Sequence, residues 1–305
     1  MIPLPPREFV LSPEAAAARY TIAEAEAYTR WLATHHYENF QVVSFLLPKR
    51  LHQDFYNVYA YCRWADDLGD EMGSPSEGLR LLAWWRDQLE AMYAGEAAHP
   101  VFVALRGTVT RHSIPQTPFA ELIRAFEQDQ TVKRYASWED VYAYCRYSAN
   151  PVGRLVLYLC GYSDAERQRL SDATCTALQL ANFWQDVAVD LEKDRVYIPL
   201  EAMARHGYTL DDLYARRVTP AFREVMREIV TRARELFVEG LPLASIVDRR
   251  LALDIDLFSR GGMRVLDKIA AQDYDVLSRR PAISKAERVW LLLGSLARVA
   301  ISRAA

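Results

Sequence analysis

Proline falls mostly between the periodic segments of this chain, and glycine is scarce, 12 of 305 residues. Both residues disrupt helices from inside. A chain punctuated in this way is expected to form long helices with short connections. Ser12-Pro13-Glu14 reads as a helix start, a cap followed by proline at the first helical position, with the helix running to about His35. A loop then ends at Leu46-Leu47-Pro48. Further helices are expected over 51–71, 76–93, 99–111 and 118–131, then over 137–160, 163–191, 220–240, 248–273 and 284–303. Ser137 with Asp140 three residues on resembles a capping box, and Pro151 and Gly153 predict a kink in the helix they interrupt. No run alternates as a strand does, no segment repeats and no linker-like shift divides the chain. The expectation is one all-α domain, although 305 residues alone suggest two.

Composition narrows the function. Hydrophobic residues are 51% and charged residues 25% of the chain, values of a globular protein. A net charge of −3 offers no field for nucleic acid. Mean hydropathy is −0.14, and no apolar run approaches the roughly 18–20 residues of a membrane span. The start, MIPLPPREFVLSPEA, lacks a basic-then-apolar signal pattern, which suggests a cytoplasmic protein. Cys62, Cys145, Cys160 and Cys175 form no C-x-x-C pair and read as reduced, buried thiols.

Two polar stripes carry the chemistry. The first is Tyr59-Ala60-Tyr61-Cys62-Arg63-Trp64-Ala65-Asp66-Asp67-Leu68-Gly69-Asp70-Glu71. Asp66 and Asp70, four residues apart, lie about 40° apart on one helical face, with Arg63 one turn before. Two carboxylates so placed repel, and a helix C-terminus disfavours negative charge. A hard dication resolves the conflict, since magnesium is held by one or two carboxylates plus substrate phosphates. A solvated acidic helix end is the alternative. The second stripe is Gln179, Asn182, Asp186 and Asp190, set among Leu178, Leu180, Ala181, Phe183, Trp184, Val187 and Val189. Oxygen-bearing side chains on such an apolar helix are costly unless hydrogen-bonded or metal-bound. A stripe facing water is again the alternative.

If the two stripes face each other across a helical cavity, a trio of magnesium ions can clamp one diphosphate and neutralise the charge on its departing oxygens. The allylic or cyclopropylcarbinyl cation left behind needs aromatic walls with few nucleophiles. Tyr59, Tyr61, Phe126, Tyr144, Tyr147, Phe183 and Trp184 are candidates, although for each a plain core role competes.

Tyr-x-x-Cys-Arg-x-x-Asp-Asp-x-x-Asp followed by Gln-x-x-Asn-x-x-x-Asp-x-x-x-Asp resembles the squalene/phytoene synthase family. Leu46-Leu47-Pro48 lies before the pair in that resemblance and Arg195-Val196-Tyr197-Ile198-Pro199 after it. The resemblance covers about residues 28–295. It implies a single-domain, all-α isoprenoid (prenyl) synthase helical bundle with a central active-site cavity. It also implies magnesium, with manganese as a substitute, at Asp66, Asp70, Asn182, Asp186 and Asp190. Asp66, Asp70, Asp186, Asp190, Tyr59, Tyr144 and Glu38 become catalytic candidates. Arg63, Asn39, Phe40, Gln179, Asn182 and Gln185 become substrate-binding candidates.

Three departures refine the resemblance. Head-to-head synthases of the family usually carry His-Ser-x-Ser-Phe before the Leu-Leu-Pro, and here the stretch is His36-Tyr37-Glu38-Asn39-Phe40. Gln185 stands where many relatives have arginine, and Asn150-Pro151-Val152-Gly153 replaces a run of small residues. The first two changes remove groups suited to a second diphosphate. The Glu-Asn-Phe version is similar to the hydroxysqualene synthases of bacterial hopanoid biosynthesis. These are lyases that ionise presqualene diphosphate and let water capture the rearranged cation. No G-x-G-x-x-G follows a strand, so no NADPH is expected. Glu38 can serve as general base for the water or can brace a neighbouring Arg or Lys.

The alternatives are a condensing synthase making presqualene diphosphate, dehydrosqualene or phytoene, and a non-catalytic assembly factor of the same fold. The expected partners are presqualene diphosphate and water, with no nucleic acid and an open oligomeric state. Residues 249–305 carry eleven Lys or Arg against six Asp or Glu. That surplus reads as a solvated face, as weak contact with an anionic membrane surface, or as arginines such as Arg264 or Arg280 that reach the diphosphate.

Overall fold

Side-chain caps set most of the helix starts. Residues 3–35 and 48–301 are described in a computed structural model. Ser12 Oγ accepts from the Ala15 N–H at 3.2 Å, and Ser74 Oγ accepts from Glu77 at 3.3 Å. Ser137 and Asp140 form the expected reciprocal box, with Ser137 N–H donating to Asp140 Oδ2 at 2.9 Å. Asp164, Thr209, Thr219 and Asp248 cap later helices in the same way. Each cap contributes about 1 kcal/mol by satisfying an N–H that no helical carbonyl reaches.

The helices depart from the sequence expectation at five places, one of them a short helix, Pro6–Val10, ahead of the expected first start. The helix expected from Pro13 to His35 is two, Pro13–Ala17 and Ile22–His35. Ala18 is extended, and a box between Thr21 and Glu24 restarts the helix, Thr21 N–H donating to Glu24 Oε2 at 2.9 Å. The kink expected at Pro151 is a full break at Ala149, between Trp138–Ser148 and Asn150–Leu159. Proline in the first turn of a helix lacks only an N–H that would be unpaired there. The 163–191 helix is interrupted at Asp186 (φ −106°, ψ 13°), which ends Ala165–Gln185 and starts Val187–Glu192. Two short helices, Leu200–Arg205 and Leu210–Tyr214, fill a stretch for which no helix was expected. Among the described residues the only β pairing is an isolated bridge, Arg134 with Val196. The class is all-α, as expected. The cysteines are free thiols, but only Cys145 is fully buried.

Contacts group the chain into two compact units, 1–131 with 154–163, and 132–153 with 164–305. In the first, helix His52–Asp70 is central and packs against Ile22–His35, Pro75–Tyr93, Pro100–His112 and Thr117–Asp129. Its core holds Phe55, Tyr61, Trp64, Leu82, Trp85, Phe102 and Phe119 with almost no exposure. Each contributes roughly 2–3 kcal/mol of burial. A buried polar chain fixes how this helix is rotated. Thr29 Oγ1 donates to Asn57 Oδ1 (2.6 Å), Asn57 Nδ2 to Thr108 Oγ1 (3.0 Å), and Thr108 Oγ1 to Asp54 Oδ1 (2.8 Å). At about 100° per residue, Asp54, Asn57 and Tyr61 lie roughly opposite Tyr59, Arg63, Asp66 and Asp70. Burial of the first set therefore turns the acidic stripe outward.

In the second unit, Ala165–Gln185 is the hub, packed by Pro220–Gly240, Arg249–Ala271 and Trp138–Ser148. Gly153 lets the chain approach this hub, since a Cβ there would collide with Ser171 Oγ and Cys175 Sγ. Thr176 Oγ1 donates to Asn150 Oδ1 at 2.9 Å beside it.

Candidate functional site

The last turn of His52–Asp70 gathers charge around one guanidinium. Arg63 Nη1 lies 3.4 Å from Asp66 Oδ2, and Nη2 lies 3.3 Å from Glu71 Oε1 and also contacts Asp67. The Asp66 side chain is 44% exposed while that of Asp67 is 4% exposed, so the doublet splits into an outward and an inward carboxylate. Burial pushes the Asp67 carboxyl up to about 7 against the pull of Arg63, with Glu71 and Asp66 adding to the rise. Asp70 is exposed at the helix end, where Gln130 Nε2 donates to the Gly69 carbonyl at 3.0 Å. Tyr59, half-buried on the same face, has its hydroxyl pKa raised by burial. The sequence reading missed Asp67 and Glu71. The Asp66-Asp67 doublet with arginine four residues before the second member was the signal for Asp67.

On the second stripe Asn182 is exposed, and Gln179, Asp186 and Asp190 are partly exposed. The flanking Leu180, Ala181, Phe183 and Trp184 are buried. The stripe is thus accessible, and its burial cost is small. The break at Asp186 keeps the backbone ladder, with Asp186 N–H donating to Asn182 O and Asp190 N–H to Asp186 O, both at 2.9 Å. Asp186 carries a guanidinium: Arg280 Nη2 donates to its Oδ2 at 3.1 Å, and Arg280 Nε contacts its Oδ1. Of the two C-terminal arginines considered from sequence, Arg280 is the one at the stripe. Arg264 donates to Glu287 at 2.7 Å.

Gln185 has a different place from the one expected. It is buried, and its Nε2 donates to the Pro281 carbonyl at 2.5 Å. Its amide therefore anchors the segment that carries Arg280 and is not offered to a substrate. Tyr144 is buried in an aromatic layer with Phe183 and Tyr197, which stack 3.7 Å apart at 3°. Phe183 and Tyr197 line a small cleft beside Asp190 with Val187 and Arg195. Arg195 and Tyr197 were quoted in the sequence only as flanking residues, and the cleft places both at the stripe. Glu38, Asn39 and Phe40 lie outside the described residues.

Both stripes offer oxygen donors without sulfur or imidazole, the chemistry of a hard cation. Among the described residues no three Asp, Glu, His or Cys side chains are gathered so as to hold an ion by themselves. Magnesium fits such an open donor set because it keeps several waters and takes substrate phosphates as ligands.

Comparison with known proteins gives a consistent picture. A family profile described as squalene/phytoene synthase matches residues 33–287. The chain is 33% identical over 274 residues to a hydroxysqualene synthase of Rhodopseudomonas palustris, covering 88% of this chain and 91% of that protein. It is also 33% identical over 258 residues to a phytoene synthase of Thermus thermophilus, covering 84% and 87%. Among solved structures, squalene synthase HpnC of Alicyclobacillus acidocaldarius is similar with a TM-score of 0.80 and 45% identity, over 83% of this chain and 95% of that one.

Proposed function

Because this chain belongs to the squalene/phytoene synthase family, we propose that it ionises presqualene diphosphate and lets water capture the cation. The products are hydroxysqualene and diphosphate, a step of squalene and hopanoid biosynthesis that consumes no NADPH. The observation that carries this reading is the side chain beside Asp186. Gln185 is a neutral amide committed to the Pro281 carbonyl, at a position where, by the sequence resemblance, many relatives of the family have an arginine. A cation suited to a second diphosphate is missing at that position, and Arg280 meets Asp186 from the C-terminal segment.

Asp66 and Asp70 on one helix, and Asn182, Asp186 and Asp190 on the other stripe, are the residues that would hold magnesium, whose charge would stabilise the departing diphosphate. The ester C–O bond breaks with both electrons leaving on the diphosphate oxygen. Arg63 keeps the first carboxylates oriented by bridging Asp66, Asp67 and Glu71. Arg280, held at Asp186 in the free protein, donates to diphosphate oxygens when they arrive. The ring faces of Tyr144, Phe183 and Tyr197 favour positive charge without supplying a nucleophile. Water then forms the new C–O bond and releases a proton, which Glu38 accepts.

A condensing activity is the second reading, favoured by the equal identity to a phytoene synthase. One experiment separates the two: purified protein with magnesium is given presqualene diphosphate, or farnesyl or geranylgeranyl diphosphate. An alcohol from the first substrate alone supports the lyase. A condensed C30 or C40 product from a prenyl diphosphate supports the synthase.

A further inference from the structure

Helix Lys285–Ile301 turns Glu287, Ser295 and Arg298 toward helix Arg249–Ala271. Glu287 accepts from Arg264 at 2.7 Å and pairs with Lys268 at 2.9 Å. Arg298 donates to Asp256 at 2.8 Å and to the fully buried Ser295 at 3.2 Å. The opposite side is apolar and open: Trp290 is 74% exposed, Val289 56%, Leu293 52%, Leu296 41% and Leu292 36%. At about 100° per residue these five cover an arc of about 160°. An ordinary surface helix has the reverse arrangement. Single exposed apolar side chains need no explanation, but a contiguous face of them marks an interaction site.

The rim of this face is cationic. Lys285 and Arg288, in the first turn of the helix beside this face, are exposed. Glu287 is the only acid between 278 and 301, and it is spent on the inner pairs. No helix among the described residues is long and apolar enough to cross a membrane.

We infer that this face docks on the surface of an anionic lipid bilayer. The helix lies in the interface plane, with Trp290 and the leucines among the upper acyl chains and Lys285 and Arg288 against lipid phosphates. A second copy of the chain fits less well. A two-fold contact through this face gathers the Lys285 and Arg288 of both copies around one apolar patch, and like charges repel. An anionic surface attracts the same groups. The inference stands on the two faces of this helix and not on the reading of the active site.

The test is co-sedimentation of the full chain with vesicles of phosphatidylcholine alone, or with a third of the lipid replaced by phosphatidylglycerol. Wild type is expected to pellet with the anionic vesicles, and to do so less in high salt. Trp290→Ser/Leu293→Ser is expected to lose about tenfold in vesicle affinity with an unchanged thermal melt, because only exposed side chains change. Lys285→Glu/Arg288→Glu is expected to lose roughly fivefold or more per charge in low salt. It serves alone if the first variant does not fold. Wild type that stays in the supernatant with anionic vesicles overturns the inference, as do variants that both pellet as well as wild type. So does a solution dimer that the first variant dissociates while neither protein binds vesicles, since the face is then a contact between copies.

Discussion

Arg280 grips Asp186 with two nitrogens, Nε on Oδ1 and Nη2 on Oδ2 at 3.1 Å, across 94 residues of sequence. The carboxylate central to the second stripe is therefore neutralised in the free protein. Its side chain is 27% exposed and that of Arg280 is 52% exposed, so the pair itself adds little stability. A bidentate pair in the open can exchange partners. Arg280→Ala is expected to leave the melting temperature within a few degrees. It is expected to slow turnover by at least about tenfold, the loss of one charged hydrogen bond to diphosphate. Magnesium affinity without substrate should rise or stay the same, because Asp186 loses its competitor. Calorimetric titration with magnesium reads the second effect, and a large loss of metal affinity there would argue against this role.

Asp66→Ala and Asp186→Ala are each expected to abolish turnover and leave the fold intact. Asp66 is 44% exposed and 3.4 Å from Arg63, a contact worth about 0–1 kcal/mol. Excess chelator is expected to silence wild type in the same way. Activity that persists in chelator, or a variant that melts far below wild type while its folded fraction turns over normally, contradicts the assignment of these carboxylates to a metal.

Much of this was legible in the sequence because it is local. Helix class, caps such as Ser12 and Ser137, and the spacing of both stripes follow from residues within one or two turns of each other. The breaks were less legible. Thr21 and Glu24 carry a cap signature, but the apolar spacing runs on through it as if one helix continued. The interruption at Asp186 has no proline or glycine to announce it. Long-range partners were not legible at all. Its place beside Asp186 predicts that Gln185 faces the substrate, whereas its amide is taken by the Pro281 carbonyl, 96 residues away. Burial separates Asp66 from Asp67, and identical residue types give no hint of which one faces in.

Asp254 sets a pH dependence of stability. It is 3% exposed, and neither carboxylate oxygen has a hydrogen-bond partner among the described residues. Burial pushes its pKa up to about 8, with Asp248 adding to the rise. The unfolded chain ionises this group near 3.9. Between about pH 4 and pH 8 the native state holds a proton that the unfolded state has released, so this group makes stability fall as pH rises. Asp254→Asn removes that slope. Urea unfolding is expected to show the variant gaining on wild type from pH 5 to pH 8, with little difference near pH 4. Parallel stability–pH curves would mean that Asp254 is ionised in the native protein.

Gly153→Val probes the hub of the second unit. The added side chain meets Ser171 and Cys175. Overpacking of this kind costs about 1–3 kcal/mol. Thermal unfolding is expected to drop by several degrees, and Gly153→Ala should drop less. A Val variant as stable as wild type would mean that this approach is looser than the structure has it.

The most direct measurement of the central claim is the product formed from presqualene diphosphate in oxygen-18 water, with magnesium present and no reduced nicotinamide. The account predicts hydroxysqualene whose hydroxyl oxygen carries the label. An unlabelled alcohol, or squalene that appears only when reduced nicotinamide is added, contradicts it.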